Sequence, residues 1–227
     1  MIKRIIDSQI LIALLNPKDV FHQKAKELVL GDSVEVVLLD SVKKEVRNTF
    51  LMKYNKACIK IYKIANKIRQ KDFETKEELI KFAEKELENV ISEDPGLRNF
   101  YLYVFSLIKD KLTDKDELIN VPTILNDHAI EIESKMVTFS ENVTVVDIGE
   151  NKLILRKEIY KLIEDFNFEL KDMEIFCDAV AYAIDTGEEC EFYTGDKDFY
   201  ETAIRALEKV KEGGYTLKLS IRFFKTD

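Results

Sequence analysis

The 227-residue chain carries 35 Lys and Arg against 43 Asp and Glu, a net charge of −8, and 46% of its residues are hydrophobic. That balance excludes a generic polyanion-coating protein, which would be basic overall, but not an enzyme that gathers acids at a metal site and lysines along a groove. The length suits a single domain, 1–227, with a helical insertion at about 72–137.

Three widely spaced cysteines, Cys58, Cys177 and Cys190, lie in apolar surroundings and form no metal-binding spacing. They read as reduced core residues of a cytoplasmic protein. The run after Met1–Ile6 is broken by Asp7 to Gln9, which argues against a signal peptide. No stretch of about 18 apolar residues exists, so no membrane association is expected.

Residues 2–6 predict a short buried strand ended by Asp7-Ser8. Residues 10–15 predict an apolar helical turn stopped by Asn16-Pro17, and 19–30 an amphipathic helix stopped by Gly31. Residues 34–39, VEVVLL, predict a second strand, because β-branched residues dominate and turn residues flank it. Asp40 or Ser41 then caps a long helix to about residue 71.

That helix has an apolar seam of Leu51, Tyr54, Cys58, Ile61, Ala65 and Ile68. Lys53, Lys56, Lys60, Lys63 and Lys67 follow the same spacing on another face. Between Lys43 and Lys71 there are ten Lys or Arg and one acid, Glu45. From Asp72 to Asp94 the balance reverses, with nine acids against three lysines.

Residues 73–90, 97–112 and 123–136 predict helices, so about 72–137 is a helical block without a strand. Strand character returns at 143–148. Helices follow at 152–166 and 172–184, the second with Gly187 as its stop. Phe192-Tyr193 is a fourth strand, 200–210 a last helix and 217–223 a final strand. Strands separated by helices imply an α/β fold with a parallel sheet covered on both faces.

The stretch EFYTGDKDF, ending at Phe199, places Asp196 and Asp198 just past a strand end, at a Gly turn. Carboxylates so placed suit a hard cation. Asp7 ends the first strand, and ligands of open parallel sheets bind beyond the carboxyl ends of strands. Adjacent first and fourth strands would therefore bring Asp7 and Asp196 together. Glu45 lies one turn into the helix after the second strand. Asp178 sits in DMEIFCDAVAYAI, apolar on nearly every side, where an ionised carboxylate is costly unless paired or metal-bound. Glu174 shares its face.

Each acid also has a plainer role. Asp7 can cap the next helix, Glu45 can complement a helix N-terminus, and Glu174, Asp178 and Asp185 can form a solvent stripe. The lysine stripe can be simple solvation, or can pair with the 72–94 acids in an antiparallel hairpin. Together, the four carboxylates in one cleft would be stable mainly with a divalent cation, which would activate water for displacement at phosphorus. The two histidines, His22 and His128, are not required. No Gly-rich phosphate loop is present.

The set resembles a PIN-domain nuclease. The resemblance is carried by Asp7 in IIDS, Glu45 in DSVKKEV, Asp178 in DAVAYA, and Asp196 and Asp198 in TGDKDF, over about residues 1–70 and 140–227. It implies a three-layer α/β/α fold whose five-stranded parallel sheet has the order 3-2-1-4-5. It implies an endoribonuclease that uses Mg²⁺ or Mn²⁺ to hydrolyse RNA in processing or quality control. Asp7, Glu45, Asp178 and Asp196 would hold the metal, with Asp198 or Glu174 supporting. Ser8 and Thr194 match positions that support the acids by hydrogen bonding. The helical block departs from the compact PIN toxins and could shape substrate access or form a homodimer contact. The lysine stripe, Lys53 to Lys67, is the candidate for the RNA backbone. The alternative is a non-catalytic RNA- or protein-binding module on the same fold. A haloacid-dehalogenase-type phosphatase would want Asp-x-Asp after its first strand, and Asp7-Ser8-Gln9 does not supply it.

Overall fold

A computed structural model describes residues 2–31, 34–113, 117–148 and 152–224. Five parallel strands form one sheet in the order β3-β2-β1-β4-β5, flanked by helices. The strands are β1 (Ile2–Ile6), β2 (Val34–Leu39), β3 (Thr144–Val146), β4 (Cys190–Thr194) and β5 (Leu219–Phe223). The expected fold class and strand order are therefore observed.

The central strands end in fully buried residues, Ile5 and Ile6 in β1 and Val37 to Leu39 in β2. Each apolar run is covered on both faces, as parallel sheets require. The register sets Ile5 beside Val37 and Phe192, and Ile6 beside Tyr193. Asp7 therefore leaves β1 level with the end of β4, and its N–H donates to the Tyr193 carbonyl at 3.0 Å.

The helices are α1 (Ser8–Leu15), α2 (His22–Leu30), α3 (Asp40–Arg69), α4 (Lys76–Glu93), α5 (Arg98–Ile108), α6 (Val121–Glu141), α7 (Leu153–Ile163), α8 (Leu170–Thr186) and α9 (Lys197–Glu212). Helix α8 packs on α7, α9 and β2, and α9 packs on β4 and β5. Gly187 ends α8 in the left-handed region, at φ 64°, where glycine carries no Cβ penalty. Gly195 is not among the positive-φ glycines, so its turn does not rest on that freedom. The 143–148 strand shortens to three residues with two exposed positions, which limits what its edge can bury.

The chain divides into two compact units. The sheet-bearing unit comprises the described residues of 1–14, 21–47 and 137–227; the second comprises 15–20 and the described residues of 48–136. The helical unit thus begins inside α3 rather than at about residue 72. Positions 114–116 of the expected helical block lie outside the described residues.

Within the second unit, Phe50, Tyr54, Tyr101 and Val104 are fully buried. Its aromatics form the core: Phe50 meets Phe100 edge-on at 5.1 Å, and the Tyr54 hydroxyl donates to the Leu125 carbonyl at 3.2 Å. Helices α3 and α4 are joined by ion pairs of Lys56 with Asp94 (2.6 Å), Lys60 with Glu93 (2.6 Å) and Lys67 with Glu86 (2.5 Å). These run antiparallel. Three of the five stripe lysines therefore pair with acids of their own unit, as the antiparallel-hairpin alternative expects. No described helix is long and apolar enough to cross a membrane.

Candidate active site

A cleft of about 320 Å³ opens beyond the carboxyl ends of β1 and β4, wholly within the sheet-bearing unit. Six acids line it: Asp7, Glu45, Glu169, Asp172, Asp196 and Asp198. Among the described residues no Lys, Arg or His lines it. A larger groove of about 660 Å³ in the second unit is lined by mixed charges and apolar residues, and gathers no such set.

Asp7 is 6% exposed, at the junction of β1 and α1. Its backbone carbonyl accepts from Ile10 and Leu11, so it also starts α1. Its Oδ1 accepts from the Ser8 N–H at 2.5 Å and the Ser8 hydroxyl at 3.2 Å. Its Oδ2 accepts from the Thr194 hydroxyl at 2.7 Å. Ser8 and Thr194 thus hydrogen-bond the acid as the resemblance implies. Burial pushes the Asp7 carboxyl up to about 6, against the pull of Thr194 and Ser8 and with added repulsion from Glu45.

Thr194 also ties the fourth strand's acid into place, because its hydroxyl oxygen accepts from the Asp196 N–H at 3.0 Å. Asp196 is the N-cap of α9: its Oδ1 accepts from the Phe199 N–H at 3.0 Å. Its Oδ2 accepts from Gln9 Nε2 at 3.2 Å. Asp198, in the first turn of α9, lines the cleft as well.

Glu45 reaches the cleft from the second turn of α3. Its Oε2 is buried and takes no hydrogen bond. A buried carboxylate oxygen without a donor is costly, and here it faces other acids.

The fourth expected acid is corrected. Asp178 does not line the cleft. It is 3% exposed and meets Arg156 of α7, whose Nε stands 3.1 Å from Oδ1. That contact is an ion pair without hydrogen-bond alignment. Burial raises the Asp178 carboxyl, and the Ser41 hydroxyl and Arg156 act against that. Glu174 pairs with the same arginine at 2.7 Å and also lies outside the cleft. Asp185 pairs with Lys152 at 2.6 Å. The Glu174–Asp178–Asp185 stripe therefore exists, and it faces the cations of α7.

Asp172, in the first turn of α8, lines the cleft instead. Its carboxyl is pushed up to about 7, first by burial and then by Asp7, Asp196, Glu45 and Glu169. Chain direction could have signalled this. Helix α8 leads into β4 through a short turn, so its first turn lies at the carboxyl end of the sheet. Asp178 is six residues further down, about 9 Å along the axis.

Hard oxygen donors in a cation-free cleft, one of them a buried orphan, fit Mg²⁺ or Mn²⁺ by chemistry. The placement is open, however: no group of three or more His, Cys, Asp or Glu among the described residues is close enough to hold an ion. The Asp7 and Asp196 carboxylates are directed instead at Thr194, Ser8, Gln9 and the α9 N-terminus. Compared with known protein families, curated proteins and solved structures, the chain matches none.

Proposed function

We propose that this protein is a metal-dependent phosphodiesterase of the PIN type, acting on RNA. One observation carries the reading: Asp7, Glu45, Asp172 and Asp196 repel one another in a single cleft that no basic side chain among the described residues lines. RNA as substrate, and Mg²⁺ or Mn²⁺ as cofactor, come from the resemblance of IIDS, DSVKKEV and TGDKDF to that family.

Asp7, Glu45, Asp172 and Asp196 would hold the ion, with Asp198 at the rim. A divalent cation there would neutralise the carboxylates and activate water for attack at phosphorus. Thr194 orients Asp7 and the Asp196 backbone together, and Ser8 fixes the second Asp7 oxygen. Gln9 sets the rotation of the Asp196 carboxylate. Each second-row bond limits where the donor oxygens can turn.

The test is cleavage of single-stranded RNA in a Mn²⁺ series by wild type, Asp7→Asn and Asp172→Asn. Wild-type cleavage that both substitutions abolish supports the reading; cleavage that survives both rejects it. A second reading, a non-catalytic RNA- or protein-binding module, draws on the open placement of the carboxylates. It expects RNA retention without cleavage at every Mn²⁺ concentration.

A further inference from the structure

Asp172 enters a field of like charges. It shares the cleft with Asp7, Glu45, Glu169 and Asp196, whose like charges oppose its ionised carboxylate there. In the first turn of α8 Met173 is buried, while Leu170 and Lys171 are exposed. Its N-cap, Glu169, makes no side-chain capping bond, and Leu170 is 80% exposed.

The restraint lies on the far side of the helix. Glu174 and Asp178 follow Asp172 by two and six residues, so they sit about 200° and 240° round the helix from it. There the guanidinium of Arg156 meets both, with Nη2 at 2.7 Å from Glu174 Oε1 and Nε at 3.1 Å from Asp178 Oδ1. A rigid planar fork can bridge two carboxylates where an ammonium cannot. Asp178 is deeply buried, so its ion pair is costly to lose. Lys152, the N-cap of α7, pairs with Asp185 near the opposite end of α8.

We infer that Arg156 is a positioning residue for the acidic cleft: by gripping Glu174 and Asp178 from behind, it holds the first turn of α8 so that Asp172 faces the cleft against the repulsion of its neighbours. The inference rests on the metal reading only for what Asp172 does once it is held there.

The experiment compares wild type with Arg156→Met/Asp178→Leu, which removes the grip without leaving a buried charge. Arg156→Lys serves as a second variant that keeps the charge and loses the fork. Lys152→Ala is the control for a general loosening of the α7–α8 contact. Backbone amide exchange is followed in peptides covering 169–176 and 179–186, and Mn²⁺ affinity by titration. The expected result is faster exchange confined to 169–176 in both Arg156 variants but not in Lys152→Ala. Mn²⁺ affinity should fall about tenfold, the scale seen for partners of metal ligands. Unchanged exchange at 169–176 in the folded Arg156 variants overturns the inference, as does an equal effect from Lys152→Ala. If the wild-type protein binds no Mn²⁺, the metal reading falls and the exchange comparison still decides this one.

Discussion

Asp172 and Asp178 lie on one helix six residues apart and do opposite things. Asp172→Asn should abolish Mn²⁺-dependent cleavage and leave the fold intact, because it removes a charge from a crowded site. Asp178→Asn should keep the cleft's own carboxylates but weaken the Arg156 grip, so Mn²⁺ affinity should fall without cleavage being abolished. It should also cost about 1–3 kcal/mol of stability, since it strips Arg156 of its buried partner. Cleavage and urea unfolding of the two variants separate the roles; an active Asp172→Asn or a fully stable Asp178→Asn contradicts the assignment. Thr194→Val is the matching test on β4, because it leaves Asp7 Oδ2 without its 2.7 Å donor. A loss of about 1–3 kcal/mol is expected in the same unfolding assay. Asp7, Glu45 and Asp196 were legible as a set because each follows or flanks a strand whose end the chain pattern gives. Asp172 was not, because the pattern around it, DMEIFCDAV, offers three acids in apolar company and periodicity alone does not say which face meets the sheet's carboxyl edge. Helix direction does: only the first turn of α8 reaches that edge.

At the level of elements, strand β4 and helix α9 share one aspartate. Asp196 lines the cleft and also caps α9 through the Phe199 N–H. Asparagine caps helices as well as aspartate, whereas alanine does not. Asp196→Asn should therefore lose Mn²⁺-dependent activity at near wild-type Tm. Asp196→Ala should lose the same activity and, in addition, about 1 kcal/mol of stability. Thermal melts of both variants check this, and an equal Tm for the two would mean that the cap contributes nothing. Both central strands were legible from end to end because β-branched runs between turn residues leave little choice. Strand β3 was legible only as a tendency: residues 143–148 have strand character, but pairing with β2 ends at Val146. The lysine stripe was legible as a periodic feature, yet its partner was a matter of tertiary contact. The antiparallel ion pairs between α3 and the chain of α4 set three of its lysines beside acids.

For the whole molecule, the concentration of charge in one cleft couples stability to pH and, on the proposed reading, to divalent ions. Asp7 and Asp172 are raised to about 6 and about 7. Between the ordinary aspartate range and those values, the native state holds more protons than the unfolded chain. Their contribution to stability is therefore fully present below about pH 4 and is lost as pH rises through 6 and then 7. At pH 8 both carboxylates are ionised beside Glu45, Asp196 and Glu169, and the metal-free protein carries the whole repulsion. Asp172→Asn should then raise metal-free stability at pH 8 by on the order of 1 kcal/mol, after discounting for the solvent around a half-buried group. At pH 5 the same substitution should change little. On the proposed reading Mn²⁺ would act in the opposite sense, because it would bind the ionised cleft of the native state and not the unfolded chain. At about 100 times its dissociation constant it should add about 2.7 kcal/mol at pH 8, a Tm rise of roughly 5–10 °C for a chain of this length. At pH 5 the ion competes with the protons on Asp7 and Asp172, so the rise should shrink. Thermal melts at both pH values, with chelator and with Mn²⁺, measure all four states. A Mn²⁺ shift equal at pH 5 and pH 8, or retained in full by Asp172→Asn, would place the ion elsewhere and remove the cleft's claim to it.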